Sequence, residues 1–163
     1  MEFLTDMAAK RAELMPDAIA FSDKDAAWSY SFADMNERAN RLGNLLLDRG
    51  LDKGDRFAVL CLNHPDFFVL LFAAQKTVIL LVPLNWRQPV AELKPILAAS
   101  NARLIFSDET HGQTAQVLAD HGGIELLPMG AVADGGSALD RILDDVSPSS
   151  PGSGQLDASA PWY

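Results

Sequence analysis

Arg56-Phe57-Ala58-Val59-Leu60-Cys61-Leu62 is apolar throughout after its first residue, and it runs straight into Asn63-His64-Pro65. Unbroken hydrophobicity over a strand's length suits a strand covered on both faces, as in a parallel sheet, and not the in-and-out alternation of a half-solvated one. Pro65 fits a first helical turn, where its missing N–H costs nothing, with Asn63 or His64 at the cap. The helix expected there runs to about Lys76, and Val78 to Pro83 follows as a second buried strand. That strand, helix, strand unit decides the fold.

Downstream the pattern repeats. Pro89 opens a helix that continues to Ser100, with Glu92 in its acidic first turn. Pro95 lies inside it and removes one backbone bond, which predicts a kink or a helix start displaced toward Glu92. Arg103 to Ser107 reads as a strand, Gln113 to Asp120 as a short helix, and Ile124 to Leu127 as another strand. Helix-length crossovers between successive strands imply right-handed connections, so the fold class is α/β: a parallel sheet flanked by helices on both faces.

Upstream, Ser31-Phe32-Ala33-Asp34 has the form of a capping box. Phe32, Met35, Ala39, Leu42 and Leu46 then recur at helical spacing, Arg38, Arg41, Asn44 and Asp48 take the other face, and Gly50 supplies a left-handed stop. Ala18 to Ser22 and Ala26 to Tyr30 flank a polar turn, Asp23-Lys24-Asp25, and predict a hairpin. A short amphipathic helix is expected over Phe3 to Leu14, stopped by Pro16. Past Met129 the order fades: Met129 to Ser137 is rich in Gly and Ala, Ala138 to Val146 suits one or two helical turns, and Ser147 to Gly154 reads as a flexible connector. The expected division is therefore 1–146 for the α/β unit and 147–163 for a linker.

Composition narrows the function. The 163 residues suffice for one domain with a real core, and a hydrophobic content of 48% with 21% charged residues is that of a globular chain. A net charge of −9 with no basic run argues against a nucleic-acid partner, which needs clustered Lys and Arg. The N-terminus lacks the basic start and apolar stretch of a secretory signal, and no apolar run approaches the roughly 20 residues of a transmembrane helix. Cys61 is the one cysteine and sits in an apolar strand, so it reads as a small buried hydrophobe in a protein of the reducing cytoplasm.

Sharp chemical motifs are missing: no Gly-x-Gly-x-x-Gly, no Gly-x-x-x-x-Gly-Lys, no Cys-x-x-Cys and no His-Glu-x-x-His occurs. His64, His111 and His121 lie at expected helix ends and read as capping or exposed. Trp28 and Tyr30 read as core, while Asn36, Glu37, Asn40 and Arg41 read as capping, paired or solvent-facing. No metal ligands and no catalytic residues are picked out.

A set of phrases in order nevertheless carries a resemblance. Trp28-Ser29-Tyr30-Ser31-Phe32-Ala33-Asp34-Met35-Asn36-Glu37-Arg38-Ala39-Asn40-Arg41-Leu42 is followed by Lys53-Gly54-Asp55-Arg56-Phe57-Ala58 and by Asn63-His64-Pro65-Asp66-Phe67. Then come Ala74-Gln75-Lys76-Thr77, Val82-Pro83-Leu84-Asn85-Trp86-Arg87 and Ser100-Asn101-Ala102-Arg103-Leu104-Ile105. Together they resemble the start of an AMP-binding, adenylate-forming ligase of the acyl-CoA synthetase type, in the branch that activates fatty or aromatic acids. The resemblance is good over about residues 3 to 110. It departs at Val78-Ile79, where that family usually has a small Gly-Ala pair, and larger side chains there are expected to crowd a close helix-to-strand approach.

The resemblance implies an incomplete part of that family's larger N-terminal domain. It implies a two-step reaction that consumes ATP with Mg²⁺, forms an acyl adenylate from a small-molecule carboxylic acid, and passes the acyl group to coenzyme A. It also implies that the phosphate loop follows Tyr163, so the chain alone is expected to be inactive. Arg87, at the carboxyl end of a buried strand, is the one residue marked for cofactor binding, as a contact to the phosphates of coenzyme A. The rival reading is a complete, small, non-enzymatic α/β module that binds a partner or dimerises. On either reading an uncovered apolar surface predicts self-association.

Overall fold

The computed structural model describes residues 6–22, 28–133 and 136–151. Along the chain lie α1 (Met7–Leu14), β1 (Ile19–Ser22), β2 (Ser29–Ser31), α2 (Phe32–Asp48), β3 (Arg56–Leu60), α3 (Pro65–Thr77) and β4 (Leu80–Pro83). Then follow α4 (Val90–Ser100), β5 (Leu104–Ser107), a 3₁₀ turn at Glu109–His111, α5 (Gly112–Gly122), β6 (Glu125–Pro128) and α6 (Ala138–Leu143). β4, β3, β5 and β6 lie side by side in that order, and every pairing is parallel. The fold is thus the expected α/β sheet. β1 and β2 pair antiparallel as the hairpin, whose polar turn lies outside the described residues, as does the expected helical start at Phe3.

The period of two along a strand sorts the core into two layers. Phe57, Val59, Leu104 and Phe106 point to one face, where Leu42, Leu46, Val69, Leu70 and Leu139 of α2, α3 and α6 cover them. Ala58, Leu60 and Ile105 point to the other, under Leu93, Leu97, Ala115 and Leu118 of α4 and α5. Both faces of the central strands are therefore dry, which is why β3 and β5 read as continuous apolar runs.

The ends of α2 follow local chemistry. Asp34 N–H donates to Ser31 Oγ at 3.1 Å and Ser31 N–H donates to Asp34 Oδ2 at 2.7 Å, closing the capping box. At the other end Gly50 has φ 75°, its N–H donating to the Leu47 carbonyl while that of Leu51 reaches Leu46, a Schellman arrangement that consumes two orphan carbonyls.

Several boundaries differ from expectation for identifiable reasons. β3 stops at Leu60 because the Leu62 N–H leaves the ladder for the carboxylate of Asp108, 2.6 Å away. Val78 does not begin β4. It caps α3 in the left-handed conformation, φ 59° and ψ 27°, and Ile79 alone of that pair is buried core, 2% exposed. The small residue usual at Val78 thus answers a backbone need and not the crowding expected from the sequence. α4 runs through Pro95 with its start at Val90, not displaced toward Glu92; Ala91, whose carbonyl loses the bond Pro95 lacks, lies on the exposed side.

The described part of the segment beyond α6 is bonded to α2. Arg41 Nη1 donates to the carbonyls of Leu143, Asp144 and Val146, and Asn44 Nδ2 to those of Ser147 and Ser149. Asn40 Nδ2 donates to the Pro148 carbonyl at 3.0 Å, and Pro151 is buried against Gly43. A polar stripe that reads as solvated is thus a clamp on the first residues of the expected connector.

Candidate functional site at the carboxyl edge of the sheet

Because β3, β4 and β5 are parallel, their carboxyl ends share one edge, where open α/β sheets gather ligands. The strand order reverses between β3 and β5, and Asp108 spans that crevice. Its Oδ2 accepts the Leu62 N–H, while Oδ1 accepts the His111 backbone N–H at 2.9 Å and lies 2.7 Å from His111 Nδ1. Beneath it Ser107 Oγ donates to the Leu60 carbonyl at 3.0 Å. The His111 ring sits against Trp86, with centroids 5.6 Å apart.

Trp86 and Arg87 lie on the turn that leaves β4. Asn85 Oδ1 accepts the Arg87 N–H at 3.1 Å and so fixes the turn, and the Arg87 guanidinium lies 4.1 Å from the Trp86 ring centroid. Arg87 is exposed, and no carboxylate among the described residues pairs with it. The sequence marks this residue; Asp108 and His111, brought to it from β5, carry no signal beyond an acidic residue after a strand.

Beside Trp86 opens a cavity of about 670 Å³, bounded by the ends of β3 and β4, the start of α3 and the hairpin. Phe21, Trp28, Leu62, Phe67 and Phe68 supply apolar walls, and His64 and Cys61 supply polar atoms. Trp28, expected in the core, is half-buried and faces His64 at 5.9 Å. Burial, followed by the charges of Asp108 and Asp66, pushes the Cys61 thiol up to about 12, so it stays protonated at neutral pH and is no thiolate nucleophile.

Behind this edge lies a buried ionic network that the sequence pattern does not reveal. Arg38, expected on the solvent face of α2, is 7% exposed and donates to Asp66 Oδ1 at 2.5 Å and Asp140 Oδ1 at 2.6 Å, with its guanidinium 4.3 Å from the Tyr30 ring centroid. Asp66 Oδ2 accepts from Gly130 N–H at 2.7 Å and Ser137 Oγ at 2.5 Å. Burial alone would raise the Asp66 carboxyl, yet His64, Arg38 and Ser137 outweigh it and hold the group well below the usual carboxylate range. The network ties α2, the start of α3 and the 130–140 segment into one support.

Among the described residues no three His, Cys, Asp or Glu side chains come together as a metal-holding group, and no helix is long and apolar enough to cross a membrane. The residue best placed for an anionic ligand is Arg87.

Residues 8–156 match the family described as AMP-binding enzyme. A feruloyl-CoA synthase of an Amycolatopsis species is 36% identical over 140 residues, 84% of this chain and 28% of that protein. A long-chain-fatty-acid–CoA ligase, FadD13, of Mycobacterium tuberculosis is 30% identical over 128 residues, 78% of this chain and 25% of that protein. Among solved structures, the N-terminal domain of FACL13 from M. tuberculosis superposes with a TM-score of 0.83 at 24% identity, covering 97% of this chain and 40% of that one. The chain thus spans about a quarter of the length of these curated relatives.

Proposed function

Because this chain belongs to the AMP-binding enzyme family, we propose that it is the N-terminal part of an acyl-CoA synthetase. In the proposed reaction a carboxylate oxygen attacks the α-phosphorus of ATP and pyrophosphate leaves. The thiol sulfur of coenzyme A then attacks the acyl carbon, the bond to AMP breaks, and the thiol proton is lost. The acid is fatty or aromatic; relatives named for a long-chain fatty acid and for ferulate support both classes.

The observation that carries the role of this part is Arg87: exposed, free of a carboxylate partner, and braced on Trp86 at the carboxyl edge of a parallel sheet. A planar, permanently charged fork in that position suits a phosphate group of coenzyme A. Asn85 and the Trp86–His111 contact hold it in place. Mg²⁺ is assigned no residue here, since the described residues offer it no carboxylate cluster. With no glycine-rich phosphate loop in its sequence, the chain alone is inactive. It self-associates through apolar side chains such as Leu71 and Ile19, which are 43% and 65% exposed. Its compartment is the reducing cytoplasm.

The test is AMP release by the protein extended past Tyr163, given ATP, Mg²⁺, coenzyme A and a panel of fatty and aromatic acids. Release that requires both an acid and coenzyme A supports the reading. Hydrolysis of ATP indifferent to every acid contradicts it.

A further inference from the structure

The cavity beside Trp86 has a chemistry that the proposed reaction leaves unused. Its walls carry seven aromatic or imidazole rings, Phe21, Trp28, His64, Phe67, Phe68 and Trp86 among them with Pro-lined edges, and none of its lining residues is acidic in a chain of net charge −9. Two ring pairs, Phe21 with Phe68 at 4.8 Å and Trp28 with His64 at 5.9 Å, belong to that wall. At about 670 Å³ the space is of the size that holds a small organic molecule. Where the wall ends, the same indole that lines it carries the guanidinium of Arg87, a cation with no carboxylate partner among the described residues.

We infer that this cavity binds an aromatic anion, with the flat ring held among the aromatic walls and the anionic group turned outward to Arg87. Burial among aromatic side chains favours a planar apolar body. The absence of acidic lining residues removes the repulsion that the chain's overall charge would otherwise impose, and Arg87 selects a carboxylate over a neutral group of the same shape. Asp108 does not oppose this, since both of its oxygens are already engaged by Leu62 and His111. The site lies on the β4 side of the edge, bounded by the hairpin. It needs no ATP and is independent of the reaction proposed above.

The test uses this chain labelled with ¹⁵N and follows its indole N–H resonances on titration with 2-naphthoate and, separately, with its neutral isostere 2-naphthamide. Saturable shifts of the Trp28 and Trp86 signals, with naphthoate bound about tenfold or more tightly than naphthamide, are expected from one charge-assisted contact. Arg87→Gln, at an exposed position that folding does not depend on, should equalise the two ligands while leaving ring binding in place. Ser22→Trp, placed at the exposed mouth, should weaken both. Unsaturable shifts, equal affinity for the two ligands in the unmodified chain, or an undiminished preference in Arg87→Gln overturns the inference. Because no step of acyl transfer is read, the outcome is separate from that of the AMP-release assay.

Discussion

Arg38 Nη2 donates to Asp66 Oδ1 at 2.5 Å between two side chains that are 9% and 0% exposed, and this pair joins helix α2 to the first turn of α3. Removing one member of such a pair strands the other charge away from water. Asp66→Asn is expected to cost about 3 to 5 kcal/mol of stability. Asp140, the outer partner of Arg38, is 36% exposed, so Asp140→Asn should cost only about 0 to 1 kcal/mol. Urea unfolding of both variants checks the difference; equal midpoints would show that the inner pair has no special weight.

The same carboxylate sets a pH dependence. Its folded-state pKa is depressed, so its stabilisation is complete above its unfolded value of about 3.9 and is lost as pH falls toward the folded value. The stability gap between the unmodified chain and Asp66→Asn should therefore be constant from neutrality to about pH 5 and narrow below about pH 4. Paired melts across that range measure it directly. A gap that widens on acidification would contradict the assignment.

Val78 and Ile79 should respond in opposite directions. A β-branched residue at φ 59° carries backbone strain of about 1 to 2 kcal/mol, part of which glycine gives back as unfolded-state entropy. Val78→Gly is thus expected to stabilise by about 0.5 to 1 kcal/mol. Ile79→Ala, in the core, should destabilise by about 2 to 5 kcal/mol. Calorimetric melting of the two variants separates the backbone account from a packing account, under which both changes would destabilise.

A methyl group at residue 43 would stand 2.7 Å from Pro151 Cγ and 3.2 Å from Thr77 Cγ2, closer than a Cβ tolerates. Gly43→Ala should therefore displace the 147–151 segment from α2 at a cost of about 1 to 3 kcal/mol. Limited proteolysis reports it: cleavage near Ser149 should accelerate in the variant, and in Asn44→Ala as well. Unchanged cleavage would mean that the clamp through Arg41 and Asn40 suffices alone.

The sheet is legible in the sequence because its signals are local. Arg56 to Leu60 is apolar on both faces, Pro65 marks the start of α3, and Ser31 with Asp34 and Gly50 bracket α2 within a few residues of each end. What the sequence hides depends on partners far along the chain. Arg38 sits in a polar stripe, and periodicity cannot distinguish a solvated arginine from one drawn inward by Asp66 and Asp140, residues 28 and 102 positions away. Val78 belongs to an apolar run and reads as strand, although the turn from α3 to β4 demands a left-handed residue there. Of the candidate site, Arg87 is legible from its place after a buried strand; Asp108 and His111 join it only because β5 crosses to the far side of β3.

The most direct measurement of the account pairs Arg87→Ala with dephospho-coenzyme A in the protein extended past Tyr163. Pyrophosphate release without coenzyme A reports the first half-reaction, and thioester formation reports the second. Loss of one charge-assisted contact of about 1.5 to 3 kcal/mol predicts a roughly tenfold to hundredfold rise in apparent KM for coenzyme A, with adenylate formation unchanged. The variant should also be indifferent to removal of the 3′-phosphate, while the unmodified protein should not. Equal damage to both half-reactions, or an undiminished preference for the phosphorylated thiol, would contradict the account and leave Arg87 as a residue that only braces the Asn85-Trp86 turn.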